Sequence, residues 1–360
     1  MTDNIKRKTP IWKLLLGLFF IIFLVTAVIL ELVLRSIHYG VKPALTPPYD
    51  TAQKDEYFGW VMKPNYSYSG TKRDKAGVEY SLELNYNQNG FKIFGDTKSS
   101  KPKIFFIGDS YTASVETSNN NTFYKLIADS LDAEVFAYGH AGYGNLQEYM
   151  VLDKWVDIIK PDIIVMEVCS NDFIDNYAPL EIECGYKVGE RRPYLDINNN
   201  ITYYRPLSFF QKVKEKSRFI NWFSTKIENS WYNITKIEKR VGEYYISSER
   251  TNYEPYKNSI EITSLILDKI KNRIPSNTKF IAFTADSFQP AMDDFKYLFG
   301  LKQLYFTKKP VSKIDYYEFE KLGNVRASDG YHWNNLGQQL IASGLIEELK
   351  PMLNDSLPNK

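Results

Sequence analysis

The stretch "KIFFIGDSYTAS" (residues 103–114) runs four apolar residues into Gly-Asp-Ser and leaves Ser110 at the end of a run with strand character. A serine in that place has two readings. It caps the helix that follows, or its hydroxyl is a nucleophile waiting for a base from elsewhere in the chain. "SDGYHWNNLG" offers such a base, with Asp329 three residues before His332. Across a turn, that spacing lets the carboxylate accept the imidazole Nδ1 proton and leaves Nε2 free. Histidines are few (His38, His140 and His332), so a mechanism that needs an imidazole has few places to find one. A metal-site reading of Asp329 and His332 would want further clustered ligands, and none stands at suitable spacing.

Two more stretches end apolar runs with residues that can meet a developing negative charge. In "EVCSNDFIDN", Asn171 is either a helix cap or an amide donor to an oxyanion. In "AYGHAGYGNLQ", Gly139, Gly142 and Gly144 are either ordinary turn residues or points where backbone amides approach a ligand.

These residues need a scaffold that collects strand ends. From residue 103 the chain alternates short apolar runs (Ile104–Ile107, Val135–Ala137, Ile163–Val168, Phe280–Thr284) with longer amphipathic ones (Phe123–Leu131, Leu146–Ile159, Ile260–Ile274, and a last one after Asn334). Such alternation predicts parallel βαβ units in an open α/β sheet, whose sites lie at the carboxyl ends of the strands.

Taken together, "GDS", "HAGYG", "SND" and "DGYH", in that order, resemble the GDSL/SGNH hydrolase family over roughly residues 101–352. The resemblance implies a three-layer α/β/α fold with a parallel sheet and a serine esterase that needs no cofactor and no metal. It further implies Ser110 as nucleophile with Asp109 beside it in support, Asp329 and His332 as the rest of a triad, and an oxyanion hole from Ser110, Gly142 and Asn171. The sequence departs from the family pattern at Cys169, where glycine is usual, and at Tyr111, where leucine or isoleucine is usual. Both bring more bulk toward the pocket and bear on the size of the acyl group.

The rest of the chain sets the context. Lys and Arg (45) balance Asp and Glu (43) without long single-sign runs, which argues against nucleic-acid binding. "LLLGLFFIIFLVTAVIL" (Leu14–Leu30) is uncharged and continues past Glu31 through Leu34, long enough to cross a bilayer. Lys6, Arg7, Lys8 and Lys13 before it predict a cytosolic N-terminus and an extracytoplasmic domain after about residue 36. A cleaved signal peptide ending near Ala27 is the competing reading.

Residues 1–35 are thus read as stub and anchor, 36–100 as a tether and small β-rich extension, and 101–355 as the hydrolase domain with a helical insertion over 176–256. Trp60, Tyr66, Tyr68 and Tyr80 in the extension are expected to pack against the main domain rather than stack on sugars. The only two cysteines, Cys169 and Cys184, are read as free thiols in preference to a bridge. The expected activity is removal of O-acyl groups, foremost acetyl, from extracytoplasmic carbohydrate. An O-acyltransferase on such a polymer, or a non-catalytic glycan-binding or assembly protein, are the alternatives.

Overall fold

Four strands buried along nearly their whole length form the middle of the molecule: β6 (Lys103–Gly108), β7 (Glu134–Gly139), β8 (Ile163–Val168) and β11 (Lys279–Thr284). The computed structural model describes residues 10–37, 51–184, 191–204, 209–235, 252–286, 289–312 and 324–354. These strands pair in parallel in the order β11-β8-β6-β7, with the short β12 (Phe306–Thr307) parallel at one edge. At the other edge β5 (Ile93–Phe94) runs antiparallel to β7, so the sheet is mixed at that edge rather than wholly parallel. β5 belongs to the segment read as an extension, which therefore supplies a strand to the main sheet.

Side-chain alternation sorts the sheet's residues to two cores. Phe105, Ile107, Ile164 and Met166 face helices α4 (Asn145–Ile159) and α9 (Glu254–Arg273). Ile104, Phe106, Ile163 and Val165 face α3 (Phe123–Leu131) and α12 (Asn335–Asn354). The result is the expected α/β/α sandwich. After β6 the chain lays β7 on one side and then β8 on the other, so the strand order reverses at the carboxyl end of β6, where ligands bind in open α/β sheets.

The segment 51–85 forms two antiparallel hairpins, β1 (Ala52–Asp55) with β2 (Gly59–Met62), and β3 (Ser67–Arg73) with β4 (Glu79–Asn85). Trp60 is buried, its indole N–H shared between His140 Nδ1 and the Ala141 carbonyl, both at 3.1 Å, so it packs as expected. Tyr80 donates to the Glu116 carbonyl at 3.0 Å. The reading of 176–256 as helical needs a correction. Its described part also holds a β hairpin, β9 (Arg192–Leu195) with β10 (Ile201–Tyr204), which buries Arg192 and Tyr194. The remainder of that span outside the described residues covers 185–190, 205–208 and 236–251. Cys169 and Cys184 are buried free thiols.

Two compact units divide the chain: Thr46–Pro206 with Arg240–Lys360, and Met1–Leu45 with Leu207–Lys239. The described part of the second consists of the apolar helix α1 (Ile11–Ser36) with α7 (Phe209–Lys216) and α8 (Arg218–Thr235).

Gly139 ends β7 directly under the turn that follows β6. A Cβ there would lie 2.6 Å from the Asp109 carbonyl oxygen and 2.7 Å from the Ala113 amide nitrogen, both backbone atoms. Gly139→Ala should therefore cost ~1–3 kcal/mol in urea denaturation. Gly300→Ala, where an added methyl meets nothing within 4 Å, should cost nothing.

Candidate active site

Ser110 is the first residue of a single helical turn, α2 (Ser110–Ala113), that begins as β6 ends. It is not the cap of that turn. Asp109 is, its Oδ1 accepting the Tyr111 amide at 2.9 Å, while its Oδ2 accepts the Ser110 hydroxyl at 3.3 Å. The capping role that a serine could have filled is thus taken by its neighbour, and the Ser110 hydroxyl is left half-buried at the strand end.

Asp329 and His332 lie on a narrow loop closed by a bridge between Arg326 and Trp333, with the Ala327 amide donating to the His332 carbonyl at 2.8 Å. His332 Nδ1 is 2.5 Å from Asp329 Oδ2, and Asp329 Oδ1 accepts the amides of Tyr331 (2.9 Å) and His332 (3.0 Å). Partial burial pulls the Asp329 pKa up, but the His332 hydrogen bond and charge and those two amides outweigh it and hold it at about 2. An ionised acceptor on Nδ1 keeps the proton there and leaves Nε2 as the free lone pair.

Tyr111 joins the two segments. Its ring centroid is 5.0 Å from that of His332 and 4.7 Å from that of Trp333, and its hydroxyl donates to the Tyr331 carbonyl at 3.2 Å. Ser110 and His332 are thereby brought onto adjoining segments, although no hydrogen bond links their side chains. Such contacts are commonly loose until substrate is bound. His140 is no substitute base: it is fully buried, and burial pushes its pKa down to about 4. His38 lies outside the described residues.

Asn171 follows β8 and stands at the N-cap position of α5 (Asp172–Asp175), yet its side chain makes no cap. Its amide nitrogen donates to Asp175 Oδ2 at 2.8 Å, which fixes the orientation of the group and leaves a second N–H to donate. Gly142 has a positive φ of 73°. The amides of Ser110 and Gly142 have no protein acceptor among the described residues. Gly139, packed under α2, is not in a position to share that role.

Beneath these residues lies a feature the sequence reading missed. Glu167 on β8 is buried, and its Oε2 accepts the Asp109 amide at 3.0 Å and the Thr112 hydroxyl at 3.1 Å. Asn145 donates both to Glu148 Oε2 (2.8 Å) and to Asp172 Oδ2 (2.9 Å), and the latter also accepts the Cys169 amide. Arg192 closes the far side with Asp175 (3.0 Å) and Glu181 (3.1 Å). A glutamate inside the otherwise apolar "IIVMEV" was the available signal. Burial, reinforced by mutual repulsion, pushes the carboxyl groups of Glu167, Glu148 and Asp172 well above the usual range.

Groups so raised stay protonated in the folded chain after the unfolded chain has released its protons. Their contribution to stability is full below about pH 4 and is lost as pH rises, at about 1.4 kcal/mol per pH unit for each proton of difference. His140 and Lys92, both depressed by burial, act in the opposite sense, but they are two groups against six, since burial also raises Asp109, Asp175 and Glu181. The melting temperature should therefore fall between pH 5.5 and 8. Glu148→Gln, which mimics the protonated acid, should flatten that slope, and an unchanged slope would contradict the protonated assignment.

Residues 104–206 match the family model described as GDSL-like lipase/acylhydrolase, a span that includes Ser110, Gly142 and Asn171. No curated protein matches the chain. Among solved structures it is similar to a family 3 carbohydrate esterase of Clostridium thermocellum (13% identity, 71% of this chain and 99% of that one, TM-score 0.39). It is also similar to a lipase/acylhydrolase of Enterococcus faecalis (16% identity, 69% and 96%, TM-score 0.36) and to esterase EstA of a Pseudoalteromonas species (12% identity, 70% and 98%, TM-score 0.38). The family match over residues 104–206, on a described α/β/α architecture, makes this part of the chain similar to GDSL-like serine ester hydrolases.

Proposed function

We propose that the chain is a membrane-tethered esterase that removes O-acyl groups, foremost acetyl, from extracytoplasmic carbohydrate through an acyl-enzyme on Ser110. The observation that carries this reading is the ionised Asp329 locking the tautomer of His332, on a loop packed against the residue that follows Ser110.

In this mechanism His332 Nε2 takes the Ser110 hydroxyl proton as Oγ attacks the ester carbonyl. Asp329 stabilises the imidazolium that forms. The Asn171 amide and the Ser110 and Gly142 backbone N–H groups receive the carbonyl oxygen as it becomes negative. Collapse breaks the C–O bond, and the imidazolium returns its proton to the departing sugar oxygen. Water, activated in turn by His332, then releases the carboxylic acid and restores the serine.

The substrate reading draws on three features. Tyr111 and Cys169 are both buried at the site, which narrows the room for an acyl chain. Tyr331, adjacent to His332, is 73% exposed and offers an aromatic face of the kind that packs on a sugar ring. α1 is a 26-residue apolar helix whose most apolar 18-residue window holds no buried residue, as expected for a single-pass anchor whose basic flank stays in the cytosol.

The test is ester turnover by the purified protein. Ser110→Ala and His332→Ala should each abolish it, and the double variant should lose little more than either, since the two act as one unit. Tyr331→Ala should raise KM for an acetylated oligosaccharide and leave KM for a small phenyl ester unchanged. Residual turnover in Ser110→Ala would contradict the nucleophile, and equal KM effects on both substrates would contradict the carbohydrate reading.

A further inference from the structure

Glu31 is the one acidic residue of α1, and it is fully engaged. Its Oε1 accepts Arg35 Nε at 2.7 Å, and its Oε2 accepts the Ser217 hydroxyl at 2.9 Å and the Phe219 amide at 2.7 Å. Arg35 in turn donates to the Lys216 carbonyl at 2.8 Å. The carboxylate thus caps the start of α8 and pins the α7–α8 pair to α1. Counted at 1.5 Å per residue from Leu14, Glu31 lies about 26 Å along the helix, inside a hydrocarbon core of about 30 Å.

Between α1 and the two helices runs an apolar groove of about 790 Å³. Its α1 wall extends from Phe23 to Leu32, about 14 Å along the axis. Facing it are Phe210, Phe219, Phe223 and Ile227. The rings of Phe23 and Phe219 meet edge to face at 6.4 Å. Phe210 (53%), Phe223 (45%) and Ile227 (51%) remain exposed although they stand beside a helix that itself requires lipid.

We infer that α7 and α8 are a second membrane-embedded element and that the groove binds acyl chains of the leaflet around the C-terminal half of α1. This rests on the reading of α1 as a membrane-spanning helix. The occupant follows from continuity: a groove walled by a lipid-facing helix at that depth, apolar apart from the capped Glu31 and two serines, has hydrocarbon as its neighbouring phase. Phe219, stacked on both Trp222 (6.4 Å) and Phe223 (5.8 Å), gives α8 the aromatic cluster found where protein enters a bilayer.

The test is photocrosslinking of the full chain in phosphatidylethanolamine–phosphatidylglycerol vesicles, with p-benzoylphenylalanine at one position at a time and adducts read by mass spectrometry. Phe223 and, independently, Ile227 are the groove positions. Leu18 on α1 reports the anchor, and Ile197, on the β9–β10 turn, reports background. Lipid adducts at Phe223 and Ile227 comparable to that at Leu18 and well above Ile197 are expected. An adduct at Leu18 with none at either groove position would overturn the inference while the anchor stands. No adduct at Leu18 would overturn both.

Discussion

The geometry of the site depends on one carboxylate, that of Asp109, which holds the turn from the central strand into α2. One of its oxygens caps that turn and the other engages the Ser110 hydroxyl, while its own amide is bound by Glu167 from the next strand. Asp109 is buried, and burial raises its pKa, against which the Tyr111 amide and its other partners pull down. A single turn of helix cannot stabilise itself. It is held from below by Glu167, which accepts the hydroxyl of the turn's own Thr112, and from the side by Gly139, whose missing side chain lets β7 approach the turn's backbone.

The second half of the site arrives from far along the chain by a different device. The 326–333 loop is closed by its own backbone hydrogen bonds, so the Asp329–His332 pair is assembled locally and then docked through Tyr111 and Trp333. Two populations of carboxyl groups result. Asp329, partly solvated and surrounded by donors, is ionised, whereas Glu167, Glu148 and Asp172, enclosed with one another, are pushed toward the neutral form. Environments that push like groups apart in this way are how one site keeps an ion where charge is needed and neutral hydrogen-bond partners where it is not.

Much of this was legible in the sequence because it is carried by local patterns. The apolar runs at Ile104–Ile107 and Ile163–Val168 became β6 and β8, and the spacing of Asp329 and His332 already implied their hydrogen bond. Side-chain alternatives were not legible. "GDS" does not say whether aspartate or serine caps the turn, and "SND" does not say whether asparagine caps α5 or points elsewhere; both were settled by hydrogen bonds seen only in three dimensions. The antiparallel β5 was invisible because two residues carry no period, and the β9–β10 hairpin was obscured by aromatic residues that fit helical spacing as well. The acid cluster escaped because its members come from separated segments: Glu148 and Asp172 meet through Asn145, Glu167 meets Asp109, and Arg192 meets Asp175 only through the fold.

The central claim is that Ser110 is a nucleophile activated by His332. Intact-mass analysis after treatment with a fluorophosphonate, followed by peptide mapping, tests it most directly, because the reagent is attacked by an activated serine and leaves a covalent phosphonyl group on its oxygen. The account predicts one adduct per chain, located on Ser110 and lost in His332→Ala. An adduct on another serine, or labelling of Ser110 at an unchanged rate without His332, would contradict it.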